Sequence, residues 1–506
     1  MAFYITTPIY YVNSSPHIGH AYTTIAADVL ARHHRQRGEE TFFLTGTDEH
    51  GSKIARAAEQ QGLDPKTFVD ENAARFLELL PRIGASNDFF IRTTDAGHRA
   101  VVQEFLQRIY DAGEIYEGVY EGLYCVACEA FYPEAELVEG RCSQHGTIPD
   151  LVEEKNYFFR LSTYRDRLLR HYDENPAFVR PRIRYNEARS FVERGLEDIS
   201  VSRAGQSWGI PVPWDPDQVI YVWVDALINY VSALSYAVEG EDLRSRLWPD
   251  VRHLLGKDIL KFHCVIWPAL LLAAGYALPR QLFVHGYLLI DERKISKSVG
   301  NVIDPLDLIT VYGADALRFY LLRTANFGQD GSASVEGLHE RYERELGNDL
   351  GNLLSRTTAM IARYRGGRLA VASGSSELEE RIAVLNDAGR DRLDEFDLSG
   401  GLDLIWGLVR ELNRHVEQSK PWELAKDETR SEELNRVLYD LVDGLRAVAV
   451  ALSPYLPETA ERILAALGQS ADLSWDRVRY GLSEETDGIE PAPPLFPRVE
   501  SPVAVE

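Results

Sequence analysis

The chain has few cysteines, no uninterrupted apolar run of membrane length, no excess of basic residues and no internal repeat, and each deficit excludes a class of protein. Four cysteines occur in 506 residues, and three of them, Cys125, Cys128 and Cys142, fall close together. Sparse, clustered thiols argue for a metal rather than a disulfide framework. The longest apolar run, Cys264 to Leu278, is broken by Pro268 and Gly275, which is too short to span a bilayer. Met1-Ala2-Phe3-Tyr4 leads straight into a strand pattern with no basic leader, so no signal peptide is expected and the chain reads as cytosolic. The formal net charge of −24 provides no overall attraction for nucleic acid, whose phosphates are bound through Lys and Arg. Local faces escape that exclusion. Arginines gather at Arg180-Pro-Arg182-Ile-Arg184 and again at Arg356, Arg363, Arg365 and Arg368. No Ser-His-Asp or Cys-His nucleophile stands out, which directs attention to catalysis by positioning and electrostatics.

What is present reads as a multidomain globular protein. Hydrophobic residues at 45% and charged residues at 26% are ordinary for that class, and the length exceeds a single core, so two to four domains are expected. Ile5-Thr6-Thr7-Pro8-Ile9-Tyr10-Tyr11-Val12 reads as a strand, and a polar turn at Asn13-Ser14-Ser15-Pro16 precedes His17-Ile18-Gly19-His20. A helix from Gly19 to about Arg37 places both histidines at its N-terminus, where unpaired N–H groups and the dipole suit a phosphate. Gly19 leaves room for a flat ligand, and His17 and His20 can donate to phosphate oxygens.

The alternation continues with a strand at Thr41–Thr45, an acidic turn Gly46-Thr47-Asp48-Glu49-His50-Gly51, and helices on either side of Gly62. Strands alternating with helices predict a parallel sheet whose ligands lie beyond the carboxyl ends of the strands. Residues 95–220 interrupt the pattern. They contain Cys125-Val-Ala-Cys128 and Cys142-Ser-Gln-His145, two donor pairs that suit one tetrahedral zinc closed to chemistry, with reduced thiols as the alternative. A run through Trp223, Ala226 or Leu227 and Tyr230 has helical spacing, which by itself reads as core packing. Lys294-Ile295-Ser296-Lys297-Ser298 carries two lysines that a bent loop could aim at one polyphosphate. Beyond Asn301 the spacing is helical throughout, over Glu336–Arg365, Glu377–Phe396, Gly401–Gln418 and Ser431–Ala451, which predicts a bundle with no further strand alternation.

The His-Ile-Gly-His turn followed late in the chain by the lysine-serine loop resembles the paired signature of class I aminoacyl-tRNA synthetases. The Asp48 turn, the Trp223–Tyr230 run and the cysteine pairs resemble those of methionyl-tRNA synthetases in particular. Some relatives have proline where Leu227 stands, and the family pattern has methionine where this chain has Ile295. The resemblance implies an α/β fold: a Rossmann-like parallel-sheet catalytic domain with a zinc-knuckle connective insertion, followed by an α-helical anticodon-binding bundle. The expected divisions are a catalytic first half at 1–94, the insertion at 95–220 and a catalytic second half at 221–293. A lysine-loop and stem-contact region at 294–345, the bundle at 346–475 and an extended tail at 476–506 follow.

The implied activity is that of a methionine–tRNA ligase. It would activate L-methionine with ATP and transfer it to the terminal adenosine of initiator and elongator tRNA(Met). The resemblance implies catalysis by His17, His20, Lys294 and Lys297, and ATP contacts from these with Gly19, Gly256, Asp258, His285 and Ser296. It implies a methionine pocket of Ile9, Tyr11, Asp48, Trp223, Ala226, Tyr230 and His263. Zinc would be structural, one per chain, on Cys125, Cys128, Cys142 and His145, and Mg²⁺ would accompany ATP. Asn352 and Arg356, four apart on one helix face, and Trp422 would read the anticodon. A cytoplasmic monomer without a membrane partner completes the expectation. The competing readings are a ligase for another amino acid, a small nucleotidyltransferase, and a catalytically silent tRNA-binding relative.

Overall fold

The computed structural model describes residues 2–125, 129–132, 137–142, 146–290, 293–294, 303–372 and 376–500. The chain forms two compact units, the first built from Met1–Pro16, Phe42–Glu78 and Asn87–His285, the second from His17–Thr41, Leu79–Ser86 and Gly286–Glu506.

The elements run in chain order as β1 (Ala2–Thr6), β2 (Tyr10–Tyr11), α1 (Ile18–Gln36), β3 (Glu40–Asp48), α2 (Ser52–Gln60), α3 (Pro65–Arg82), β4 (Phe89–Arg92) and α4 (Ala96–Asp111). Then come β5 (Ile115–Cys125), β6 (Ala130–Tyr132), β7 (Asp150–Phe159), α5 (Arg165–Glu174), β8 (Val179–Arg180) and α6 (Arg182–Glu193). The first unit closes with β9 (Ile199–Ser200), β10 (Ser202–Arg203), β11 (Pro211–Val212), β12 (Asp215–Ile220), α7 (Val222–Tyr236), α8 (Arg244–Leu247), β13 (Val251–Gly256), α9 (Trp267–Ala273) and β14 (Gln281–His285).

In the first unit a seven-stranded sheet has the order β2-β3-β1-β13-β14-β8, with β4 also on β3. The pairings of β1 with β13, β13 with β14, β14 with β8, and β3 with β2 and β4 are all parallel. From β1 the chain moves to β3 on one side and later to β13 on the other. That reversal makes the carboxyl ends of β1 and β13 the switch point where ligands of such sheets bind. Phe3, Tyr4 and Ile5 of β1 are buried, as the central position requires. Residues 95–220 contribute a separate antiparallel sheet in the order β6-β5-β7-β9.

Two boundaries differ from the expectation. The opening strand read over Ile5–Val12 is two strands, since β1 ends at Thr6 and β2 spans only Tyr10–Tyr11 on the other side of β3. The strand predicted at Thr41–Thr45 runs on to Asp48, because Thr47 and Asp48 pair with Tyr10 and Tyr11, and Gly46 and Thr47 pair with Ile91 and Arg92. A Cβ at Gly46 would come within 2.0 Å of the Ile91 carbonyl oxygen, so only glycine permits this approach. Asp48 is therefore a strand terminus, held more rigidly than a turn residue.

The second unit contains α1 and, later in the chain, β15 (Leu288–Ile290), β16 (Arg293–Lys294), α10 (Pro305–Tyr312), α11 (Ala314–Arg323), β17 (Gly331–Ser332), α12 (Val335–Arg341) and α13 (Asn352–Arg365). α14 (Ser376–Asp394), α15 (Leu398–Ser419), α16 (Pro421–Leu424), α17 (Ser431–Leu452) and α18 (Pro457–Ala466) complete it. The four predicted bundle helices are present. The first is interrupted by a π-helical stretch, Tyr342–Gly351, which joins α12 to α13. The expected absence of strand alternation beyond Asn301 is interrupted among the described residues only by β17, whose two residues pair in parallel with β15. Among the described residues no helix is long and apolar enough to cross a membrane.

Candidate active site

In the first unit a cluster of aromatic rings forms beside the switch point. The Tyr11 ring meets Trp223 edge-on with centroids 6.1 Å apart, and Trp223 stacks on Phe262 at 4.0 Å and 12°. Ile9 is partly buried against the same hydrophobic core, and Ala226 and Tyr230 of α7 and His263 of the π-helical segment Phe262–Ile266 are buried. The stripe expected from helical spacing is buried at Ala226, Leu227 and Tyr230 and half-buried at Trp223.

Two histidines behind this wall are held neutral. His263 Nδ1 donates to the Ile259 carbonyl at 3.1 Å, so its Nε2 accepts the Tyr230 hydroxyl at 2.7 Å. Burial lowers the His263 pKa to about 4. The Trp267 indole donates to His253 Nε2 at 3.2 Å, which leaves Nδ1 to donate to the Thr6 hydroxyl at 2.8 Å. Burial, together with neighbouring His263, pushes the His253 pKa well down as well. An uncharged wall of aromatic rings suits an apolar, polarizable group such as a thioether.

The sheet end beside Tyr11, where Asp48 pairs with it, is acidic. Asp48 is buried, and its Oδ1 has no hydrogen-bond partner. Burial first, and then the charges of Asp225 and Glu129, raise its pKa well above the usual carboxylate range. Burial would raise Asp225 as well, but His50 and His98 outweigh it and hold that carboxyl low. Asp225 Oδ2 lies 2.7 Å from His50 Nδ1, and Oδ1 lies 2.7 Å from His98 Nε2. A buried carboxylate oxygen left without a donor among other acids is a site for a small cation that brings its own N–H groups.

In the second unit the signature turn forms a cap made of two histidines. His17 is the N-cap of α1, and its Nδ1 accepts the Gly19 N–H at 3.1 Å, while the His17 N–H donates to His20 Nδ1 at 3.0 Å. Because both Nδ1 atoms accept, the proton of each neutral ring sits on Nε2. The rings stack with centroids 3.8 Å apart, and an imidazole N–H at a helix N-terminus is a donor of the kind phosphate oxygens accept.

The remaining expected residues fall as follows. Gly256 ends β13 opposite His285 of β14, and a Cβ there would lie 2.6 Å from Asp258 Oδ1. Lys294 lies in β16, its backbone paired with Leu289; Ser296 and Lys297 are outside the described residues. Asn352 and Arg356 are exposed on α13, and Arg356 Nη2 pairs at 2.7 Å with Glu417 near the end of α15. Trp422 is half-buried on α16, just beyond that helix. Cys125 and Cys142 are both buried, and Thr147 joins them: its hydroxyl lies 3.3 Å from Cys125 Sγ and its carbonyl accepts the Cys142 N–H at 2.8 Å. Cys128 and His145 lie outside the described residues.

Sequence reasoning missed Glu129, Asp225, His50, His98, His253 and Phe262. Asp225, His50 and Phe262 adjoin motif residues and could have been examined with them. His98 offered no signal, since its partner Asp225 is 127 positions away.

With this geometry in view, comparison with known proteins is direct. The family model described as tRNA synthetases class I (M) matches residues 3–147 and 134–358. The methionine–tRNA ligase of Caldanaerobacter subterraneus is 45% identical over 98% of this chain and 79% of its own length. That of Streptomyces coelicolor is 44% identical over 99% of this chain and 97% of its own length. The solved structure of Mycobacterium tuberculosis methionyl-tRNA synthetase in complex with methionyl-adenylate superposes with a TM-score of 0.93 at 40% identity, covering 98% of this chain and 100% of that one. Its apo form gives 0.86 at 37% identity, covering 99% of each chain. The chain therefore belongs to the class I tRNA synthetases. Within that class it is a member of the methionine–tRNA ligase family.

Proposed function

We propose that Asp48 receives the ammonium group of L-methionine, the aromatic wall receives its thioether, and the His17–His20 cap serves the phosphates of ATP. The observation that carries this reading is the buried, unpartnered Asp48 oxygen. The reaction is ATP-dependent methionine activation followed by transfer to tRNA. The methionine carboxylate attacks the α-phosphorus of ATP, the bond to the bridging oxygen breaks, and pyrophosphate leaves. A hydroxyl of the terminal tRNA adenosine then attacks the acyl carbon, losing its proton, and AMP departs.

His17 and His20, with Lys294 and Lys297, would stabilise charge on the triphosphate as it builds. Gly19 leaves space for adenine, and Gly256, Asp258, His285 and Ser296 complete the nucleotide contacts. Ile9, Tyr11, Trp223, Ala226, Tyr230 and His263 form the methionine pocket. Mg²⁺ enters with ATP. Buried thiols at Cys125 and Cys142 fit the donor chemistry of zinc, and Cys128 and His145 would complete a closed structural site. Residues 95–220 act as the connective insertion and 346–475 as the anticodon-binding region, where Asn352 and Arg356 hydrogen-bond to unpaired bases of tRNA(Met) and Trp422 stacks on one. The protein works as a cytoplasmic monomer.

Exchange of pyrophosphate into ATP across a panel of amino acids tests the reading. Methionine-dependent exchange is expected, and it is expected to be lost in Asp48→Asn. Exchange with another amino acid and none with methionine would overturn the substrate; exchange with none would overturn the activation chemistry.

A further inference from the structure

Tyr11 is secured by a residue that the sheet does not supply. Its hydroxyl donates to Glu129 Oε2 at 2.7 Å, although the two residues are 118 positions apart. Glu129 follows β5 in the inserted segment and is 1% exposed. Its Oε1 accepts the Lys53 N–H at 2.7 Å and the Ser52 hydroxyl at 3.1 Å, both from the first turn of α2. Its carbonyl accepts the Tyr221 hydroxyl, from the residue that caps α7. One buried residue thus joins three elements: its side chain ties the strand bearing Tyr11 to the start of α2, and its backbone carbonyl holds the start of the helix bearing Trp223.

Two further features show that the arrangement is built around this carboxylate. Glu129 has φ of 49°, a left-handed conformation that a residue other than glycine holds only when its surroundings impose it. Gly51, at φ 104°, lies where a Cβ would approach the Glu129 carboxylate oxygen to 2.6 Å, so the glycine opens the space that the carboxylate fills. Lys53 Nζ sits 5.6 Å above the Tyr11 ring. The ring is therefore held at its face by a cation and at its hydroxyl by Glu129, with its contact to Trp223 as the result.

We propose that Glu129 is a positioning residue for methionine binding: it fixes the Tyr11 ring against Trp223, and so couples the fold of the inserted segment to the closure of the amino-acid pocket. The proposal rests on Tyr11 being a pocket residue. A buried carboxylate is costly to place without donors, and here three donors from two separate elements of the pocket converge on it. Glutamine keeps an acceptor for the α2 turn and can still reach the Tyr11 hydroxyl. Alanine removes every one of these bonds.

The experiment measures KM for methionine and for ATP by pyrophosphate exchange in Glu129→Ala, Glu129→Gln, Tyr11→Phe, Tyr11→Ala and the Glu129→Ala/Tyr11→Phe double variant. Loss of a hydrogen bond to a charged group predicts that Glu129→Ala raises KM for methionine about tenfold, with KM for ATP unchanged. Glu129→Gln is expected within about threefold of the parent, and the double variant should add little to Tyr11→Phe alone. Should Glu129→Ala fail to fold, Glu129→Asp, which withdraws the carboxylate by one methylene, carries the same comparison. The proposal is overturned if the folded Glu129 variant leaves KM for methionine unchanged, if both KM values rise together, or if the two substitutions are additive. Should Tyr11→Ala also leave KM for methionine unchanged, the pocket assignment itself fails; a large effect of Tyr11→Ala with none at Glu129 removes only the proposal.

Discussion

Arg318 Nη2 lies 2.7 Å from Asp28 Oδ2, and neither side chain has exposed surface. Asp28 is on α1, the helix capped by His17, and also accepts from Arg32 and Ser86. Arg318 spends its other donors on the carbonyls of Ile83, Pro454 and Tyr455. Removing one partner strands a buried charge. Arg318→Met is therefore expected to cost about 3–5 kcal/mol in denaturant unfolding. The Asp28→Asn/Arg318→Met double variant should cost less than the sum of the two single changes. Full additivity would show that the pair is not coupled.

Methionine binding should release a proton. The raised pKa of Asp48, caused by burial and by the charges of Asp225 and Glu129, favours the protonated form in the free enzyme. An ammonium group pairs with the ionised form, so binding tightens as pH rises. Calorimetric titration of methionine over a series of pH values, in buffers of different ionisation enthalpy, should reveal the released proton, and Asp48→Asn should abolish it. A binding heat independent of buffer would contradict this.

Acid should destabilise the fold through its buried histidines. The pKa of His263 falls from 6.5 to about 4 on folding, so below pH 6.5 the unfolded chain binds a proton that the folded chain refuses. Stability from this group is fully present above the unfolded value. It declines as pH drops towards 4, by on the order of 3 kcal/mol. His253 is shifted in the same direction, whereas the raised pKa of Asp48 opposes both. The clean measurement is a difference: the stability advantage of the parent over His263→Gln should shrink between pH 7.5 and pH 5. An advantage unchanged with pH would contradict the assignment of a neutral His263.

Metal analysis of the purified protein should find about one zinc per chain. Cys142→Ser, which replaces a buried thiol, should lower the zinc content and the melting temperature together. A metal-free protein of unchanged stability would remove the zinc assignment.

The signature turn was legible because its chemistry is local. A cap needs only residues three positions apart, and His17 and His20 build it from their own backbone neighbours. The bundle helices were legible for the same reason, since helical periodicity is written within each segment. Asp48 was recognised as a residue, but its place at the end of a strand depended on pairing with Tyr11, which local composition does not reveal. The two-residue β17 was missed on similar grounds, because it exists only through its pairing with β15.

The sequence by itself determined the two-histidine turn at the start of α1, the alternation that makes a parallel sheet and the family to which the chain belongs. Only the tertiary structure decided which of the many acids and histidines serve the pocket. Asp225 meets His98 across 127 positions, and Glu129 meets Tyr11 across 118. Such pairings leave no periodic trace. They arise because burial removes water from these groups, and each must then find its hydrogen-bonding partner wherever the fold brings one within reach.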